Sequence, residues 1–159
     1  MHRPCYPVAL KIRGESVLIA GGGKVAGRKV EILLKSGAKV KIVSPKITEG
    51  LRRLVSLRKV RWIKRKIRPS DLAGAKVVIA ATSDPSVNKK VSGWAKRSGI
   101  LVNVVDRAEL SSFISPAIFA APEATVAVYT EGRDPVLSRD LKNFLKENWD
   151  AFLSYRYRL

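Results

Sequence analysis

The sequence predicts an α/β protein, a doubly wound parallel sheet carrying a small C-terminal α+β lobe. Three observations predict it. Short β-rich runs alternate with segments of helical periodicity as far as Asp106, the rhythm of a parallel sheet covered by helices. The run Lys76–Ala81 (KVVIAA) is almost continuously apolar, as a central strand buried on both faces must be. Gly21-Gly22-Gly23 lies between the first β-rich run and the first helical segment, where such folds take phosphates.

The elements follow in order. Pro7–Ile12 reads as a short strand before the turn at Gly14, and Ser16–Ala20 (SVLIA) as a compact strand. From Val25 to Ser36 the apolar positions Ala26, Val30, Leu33 and Leu34 recur at helical spacing, and Gly37 stops the helix. Lys39–Val43 is the second strand of the alternation, Ile47–Leu57 a helix, Val60–Ile63 the third strand and Lys76–Ala81 the fourth. Asp84-Pro85 supplies an N-cap and a first-turn proline, and the helix it opens puts Val87, Val91, Trp94 and Ala95 on one face. Ile100–Val104 is the fifth strand. Beyond it Ser111–Ala121 reads as irregular, and Ala124–Thr130 (ATVAVYT) alternates like an antiparallel strand. A single helix over about 135–155 starts at cap Asp134, its apolar stripe running from Leu137 through Leu141, Phe144, Leu145 and Trp149 to Phe152. One strand and one helix are too little for a core, so residues 111–159 are expected to form a dimerisation lobe beside a dinucleotide-binding domain over 1–110.

Composition bounds the function. The chain has 159 residues, 46% hydrophobic and 28% charged, ordinary for a globular protein and too apolar for a disordered one. No apolar run nears the roughly 18 residues of a membrane span, and Met1–Gly14 lacks a signal-peptide core; the expectation is a soluble, cytoplasmic protein with no membrane partner. One cysteine, Cys5, and one histidine, His2, exclude an intrachain disulfide framework, a Ser–His–Asp triad and an ordinary histidine metal site. The net charge is +18, and +16 of it falls within the first 70 residues. Such a field suits a polyanionic partner, or alternatively the charged surface of a thermophile, which the absence of glutamine and the four asparagines also fit. Arg58–Arg68 holds seven bases around Trp62, but Val60 and Trp62 alternate as in a half-buried strand, so core packing accounts for the tryptophan and nucleic acid is not the expected partner.

Gly21-x-Gly23-x-x-Ala26 matches the dinucleotide fingerprint of a Rossmann-like domain. Gly21 permits the tight turn, Gly23 lets backbone N–H groups approach a pyrophosphate, and Ala26 allows close helix–strand packing. The motif follows a strand and opens a helix, the context it requires; a glycine-rich turn without ligand is the plain alternative. The acid expected at the end of the second strand is replaced by Ser44, Pro45 and Lys46. A carboxylate there would hold the adenosine ribose and repel a 2′-phosphate, so these residues leave NAD and NADP both open. Thr82, Asn103 and Asp106 leave the fourth and fifth strands at the same sheet edge. A carboxylate at Asp106 could take a proton while a hydride goes to nicotinamide, or could simply shape a turn.

The succession "VLIAGGGKVAGRKVEILLKSGAKV", "DLAGAKVVIAATSD", "VNVVDRAELSSFISPAI" and "VAVYTEGRDPVLSRDLK" resembles, in order and with few gaps from Pro7 to Leu145, the precorrin-2 dehydrogenase module of siroheme synthases. The resemblance implies NAD-dependent oxidation of precorrin-2 to sirohydrochlorin by a homodimer. It assigns Gly21, Gly22, Gly23, Lys24 and Val25 to the cofactor loop, Ser44 and Pro45 to a second-strand end where the missing acid is usual, and Thr82, Asn103 and Val104 to the nicotinamide side. Asp106 falls on the family's functional aspartate. Phe113, Pro116 and Thr130 fall at the tetrapyrrole pocket, although Thr130 and Glu131 stand where a serine and a glycine can occur; Gly132, Pro135 and Leu137 match the start of the dimer helix. The extra C-terminal helical domain of longer members and the methyltransferase domain fused to some are not found up to Leu159. A polycarboxylate tetrapyrrole is also a partner that a +16 half-molecule attracts. Two rivals stand beside this reading: a member that chelates ferrous iron as well or instead, and a regulatory subunit that only senses NAD(H).

Overall fold

The computed structural model describes residues 5–156, which form two compact units, Val8–Phe113 and a second made of Ile114 onward together with Cys5–Pro7. The first is a five-stranded, all-parallel sheet. Its strands are β1 (Ser16–Ala20), β2 (Lys39–Val43), β3 (Val60–Ile63), β4 (Val77–Ala80) and β5 (Leu101–Val104), in the order β3-β2-β1-β4-β5. The helices α1 (Lys24–Lys35), α2 (Glu49–Ser56) and α3 (Pro85–Arg97) connect them, with a short 3-10 turn at Pro69–Leu72 between β3 and β4.

Strand alternation builds two cores from one sheet. In β1, Val17 and Ile19 face the side covered by α1 and α2, with Val30, Leu33 and Leu51, while Leu18 and Ala20 face Val91 and Ala95 of α3. In β4, Val77 and Ile79 go to the first core and Val78 and Ala80 to the second. That double burial is why the run has no polar position. The chain leaves β1 toward β2 on one side and returns to β4 on the other. The carboxyl ends of β1 and β4 thus meet at the topological switch point, where ligands of such sheets bind.

Asp84 caps α3 as expected, its Oδ1 accepting the N–H groups of Ser86 at 2.8 Å and Val87 at 3.4 Å. Those bonds, the Ser86 contact first, hold its carboxyl below the usual carboxylate range. Trp62 is half-buried against the first core and its Nε1–H donates to the Ser44 carbonyl at 2.9 Å. Arg65 forks onto buried Asp71 at 2.6 and 2.7 Å. The basic segment therefore spends its tryptophan and one arginine inside the fold.

Three expectations are corrected. Pro7–Ile12 forms no strand, because both edges of β1 are already taken by β2 and β4, and Val8 and Leu10 are left exposed. Within Ser111–Ala121, the stretch Ala117–Ala120 is a strand, β6, paired antiparallel with β7 (Thr125–Val128). The long C-terminal helix is two helices, α4 (Pro135–Glu147) and α5 (Trp149–Arg156), interrupted at Asn148, whose side-chain Nδ2 and backbone N–H share the Phe144 carbonyl at 2.9 and 3.1 Å. The second unit consequently has a hairpin to pack on. Buried Phe119 and Val128 lie under α4, and Phe119 meets the Trp149 ring edge-on at 5.4 Å. His2 lies outside the described residues.

Candidate functional site

The three consecutive glycines do three different things. Gly21 leaves β1 with φ +120°, a conformation reserved for glycine, and a Cβ there would overlap the Ala81 carbonyl after β4. Its N–H donates to the Val43 carbonyl at 3.1 Å, tying the ends of β1 and β2 together. A Cβ on Gly22 would overlap the Lys46 carbonyl and sit 2.7 Å from Ile47 Cγ2; its own carbonyl accepts the Thr48 N–H at 2.9 Å. Gly23 alone faces open space, with nothing within 4 Å of a built Cβ.

Gly23 is also the N-cap of α1, with extended backbone (φ −83°, ψ −173°), no side-chain cap and no acid in the following turn. The first-turn N–H groups at Lys24 and Val25 are therefore free to receive an external anion, and the helix dipole favours one. A cradle open only at the residue where a pyrophosphate must approach fits a dinucleotide; two glycines close the turn and the third leaves the space.

At the end of β2, Ser44 is buried and donates its hydroxyl to the Lys46 carbonyl at 2.7 Å. Its hydrogen is spent, so toward a ribose Ser44 can act only as acceptor. Pro45 and Lys46 are exposed beside it, and no carboxylate occupies the position that would repel a 2′-phosphate.

Across the switch point lies a constellation centred on a residue the sequence reading passed over. Asn88, in the first turn of α3, is fully buried. Its Oδ1 accepts the Thr82 N–H at 3.1 Å and lies 2.8 Å from Thr82 Oγ1, while Nδ2 donates to the Thr82 carbonyl at 3.2 Å and to Asp106 Oδ1 at 2.9 Å. The Thr82 backbone N–H can only donate, so the carboxamide oxygen must face it and the NH₂ must face Asp106. The turn after β4 and the turn after β5 are joined through one side chain. A polar residue on the face shared by Val91 and Ala95 was the available signal, since spacing places Asn88 within that buried stripe.

The remaining candidates divide. Asn103 is buried and donates to the Phe113 carbonyl at 3.1 Å. Val104 gives its side chain to the second core, and its N–H donates to Ser111 Oγ at 2.8 Å. Ser112 Oγ accepts the Val102 N–H at 2.7 Å, so residues 111–113 close the outer edge of β5. Phe113 packs half-buried against the first core. Pro116 and Thr130 belong to the second unit; Thr130 Oγ1 bonds the Asp134 carbonyl at 2.7 Å and lies 2.7 Å from Ser138 Oγ, organising the start of α4.

Comparison with known proteins agrees with this geometry. Residues 8–117 match a family described as "Putative NAD(P)-binding". The chain is 40% identical over 137 residues to a siroheme synthase of Chromobacterium violaceum, covering 86% of this chain and 29% of that protein. It is 42% identical over 136 residues to a siroheme synthase of Methylobacillus flagellatus, with the same coverage. The chain thus spans under a third of the length of these relatives. Among solved structures, SirC, a precorrin-2 dehydrogenase, superposes with a TM-score of 0.80 at 27% identity, covering 97% of this chain and 78% of that one. With its family match spanning the whole sheet and the open glycine cradle at the switch point, this chain belongs to that NAD(P)-binding family.

Proposed function

We propose that the protein oxidises precorrin-2 to sirohydrochlorin with NAD as acceptor; SirC, a structure this chain matches over nearly its full length, is named a precorrin-2 dehydrogenase. The observation that carries the reading is the pairing of an open cradle at Gly23 with an oriented carboxylate at Asp106, both at the carboxyl edge of one parallel sheet.

The dinucleotide, when bound, supplies a hydride acceptor. The protein supplies the rest. First-turn N–H groups of α1 hold the pyrophosphate over the open position at Gly23 while Gly21 and Gly22 shape the turn, Ser44 accepts from the ribose, and Thr82, Asn103 and Val104 border the nicotinamide side. Asp106 takes the proton that leaves the ring as the carbon–hydrogen bond delivers its electron pair. Its carboxylate is exposed and, among the described residues, anchored through one oxygen only, an arrangement suited to reaching a bulky substrate. The excess of positive charge in the first 70 residues attracts a polycarboxylate and raises its encounter rate. On the unit that carries the sheet, Phe113 borders the substrate.

The protein works as a cytoplasmic homodimer in this reading. Leu137, Leu141, Phe144 and Phe152 are exposed along α4 and α5, Phe144 by 59%, a stripe that a second copy would cover. Among the described residues no helix is long and apolar enough to cross a membrane.

Asp106→Asn tests the assignment. The substitution keeps size and an acceptor oxygen, so NADH binding should persist within about threefold while turnover of precorrin-2 falls by about 10²-fold or more, the lower end of what a general base contributes. Full turnover in this variant would remove Asp106 from the chemistry.

A further inference from the structure

We propose that Asn88 is a positioning residue for this reaction, a buried carboxamide that fixes the Asp106 carboxylate relative to the Thr82 turn; the inference rests on Asp106 acting as the proton acceptor. Asn88 makes no direct contact with the outside, since it is fully buried. It acts through the two turns it joins.

The chemistry of the pair separates this role from ordinary core packing. A buried carboxamide costs stability unless its polar atoms are all satisfied, and an apolar side chain would fill the same volume on α3 at lower cost. Oδ1 is used up by Thr82, whose hydroxyl lies 3.0 Å from the Asp84 carbonyl and 2.8 Å from Asn88. The second N–H is aimed at an exposed carboxylate that water could solvate without help. Tethering it restricts the rotamers of Asp106 and gains orientation. Oδ1 of Asp106 is held at 2.9 Å, and Oδ2 has no hydrogen bond within the fold among the described residues. One oxygen is anchored and the other is presented. Because the same carboxamide grips both backbone groups of Thr82, the turn bordering the nicotinamide side and the carboxylate move as one body.

The test measures kcat and KM for precorrin-2 with NAD, the NADH dissociation constant by fluorescence, and the thermal unfolding midpoint, for Asn88→Asp, Asn88→Ala, Asp106→Asn and the double variant Asn88→Asp with Asp106→Asn. Asn88→Asp keeps shape but sets oxygen against oxygen where the 2.9 Å bond was. It should lower kcat about 10- to 100-fold, the scale of an ångström-level misplacement, with KM and NADH affinity within about threefold. Asn88→Ala should show the same split without the added charge. The double variant restores a hydrogen bond of reversed polarity to residue 106 but leaves an oxygen facing the Thr82 carbonyl, so its midpoint should rise above that of Asn88→Asp without reaching that of Asp106→Asn, while turnover stays lost. An unchanged kcat in both single Asn88 variants overturns the proposal. So does a loss that appears only as weaker NADH binding and a lower midpoint, the signature of a purely structural residue. If Asp106→Asn itself keeps full turnover, the parent reading fails and the proposal with it; if Asp106→Asn is dead while the Asn88 variants are active, only the proposal fails.

Discussion

Gly23→Asp sets stability and cofactor binding against each other. The position has the extended backbone of an N-cap, no capping side chain, and open space around a built Cβ. Aspartate is a far better N-cap than alanine and a few tenths of a kcal/mol better than glycine, and its charge at the helix N-terminus adds about 0.3–1 kcal/mol. The folded protein should gain about 0.5–1 kcal/mol, an increase of roughly 1–4 °C in unfolding midpoint for a chain of this length. The same carboxylate would occupy the place where a pyrophosphate must lie. Like-charge repulsion and loss of the free N–H groups should cost at least about 3 kcal/mol of binding, more than 100-fold in NADH dissociation constant. Thermal unfolding followed by circular dichroism and NADH fluorescence titration on one preparation measure both. An NADH affinity within threefold of wild type would refute the cradle as a phosphate site. A midpoint lowered by several degrees would refute the open N-cap.

Further predictions concern the fold and the assembly. Gly22→Ala forces a methyl into the Lys46 carbonyl and Ile47, and should destabilise the protein by about 1–3 kcal/mol in urea unfolding, the reverse of the Gly23 effect. Asp71 accepts the Arg65 fork and the Arg68 N–H at 2.8 Å; chiefly the Arg65 hydrogen bonds hold its carboxyl below the usual range, against the opposing push of burial. A lowered folded-state value stabilises above the unfolded carboxylate value near pH 4 and is lost as pH falls below it, so Asp71→Asn should cost about 2–3 kcal/mol at pH 7 and flatten the acid limb of stability against pH. Phe144→Asp should shift the protein from dimer to monomer in light scattering at micromolar concentration while leaving its circular dichroism unchanged.

The alternating half of the chain was legible because parallel strands and their helices write period and burial directly into sequence. Lys76–Ala81 and the Asp84-Pro85 start carried through nearly to the residue. The glycine loop was legible as a motif, but the division of labour among Gly21, Gly22 and Gly23 depends on the carbonyls of Ala81 and Lys46, which come from distant segments. Asn88 was missed because a lone asparagine on a helix face looks like an interruption until Thr82 and Asp106 are brought to either side of it. The C-terminal unit was least legible. A four-residue strand after Pro116 shows no periodicity, and the break at Asn148 falls within an unbroken apolar stripe, so the spacing gives no sign of it.

The most direct measurement is anaerobic incubation of the protein with precorrin-2 and NAD, and separately NADP, following sirohydrochlorin and reduced cofactor by absorbance. The account predicts one reduced cofactor formed per sirohydrochlorin, with NAD the better acceptor. Tight NADH binding with no sirohydrochlorin formed from either dinucleotide would contradict it.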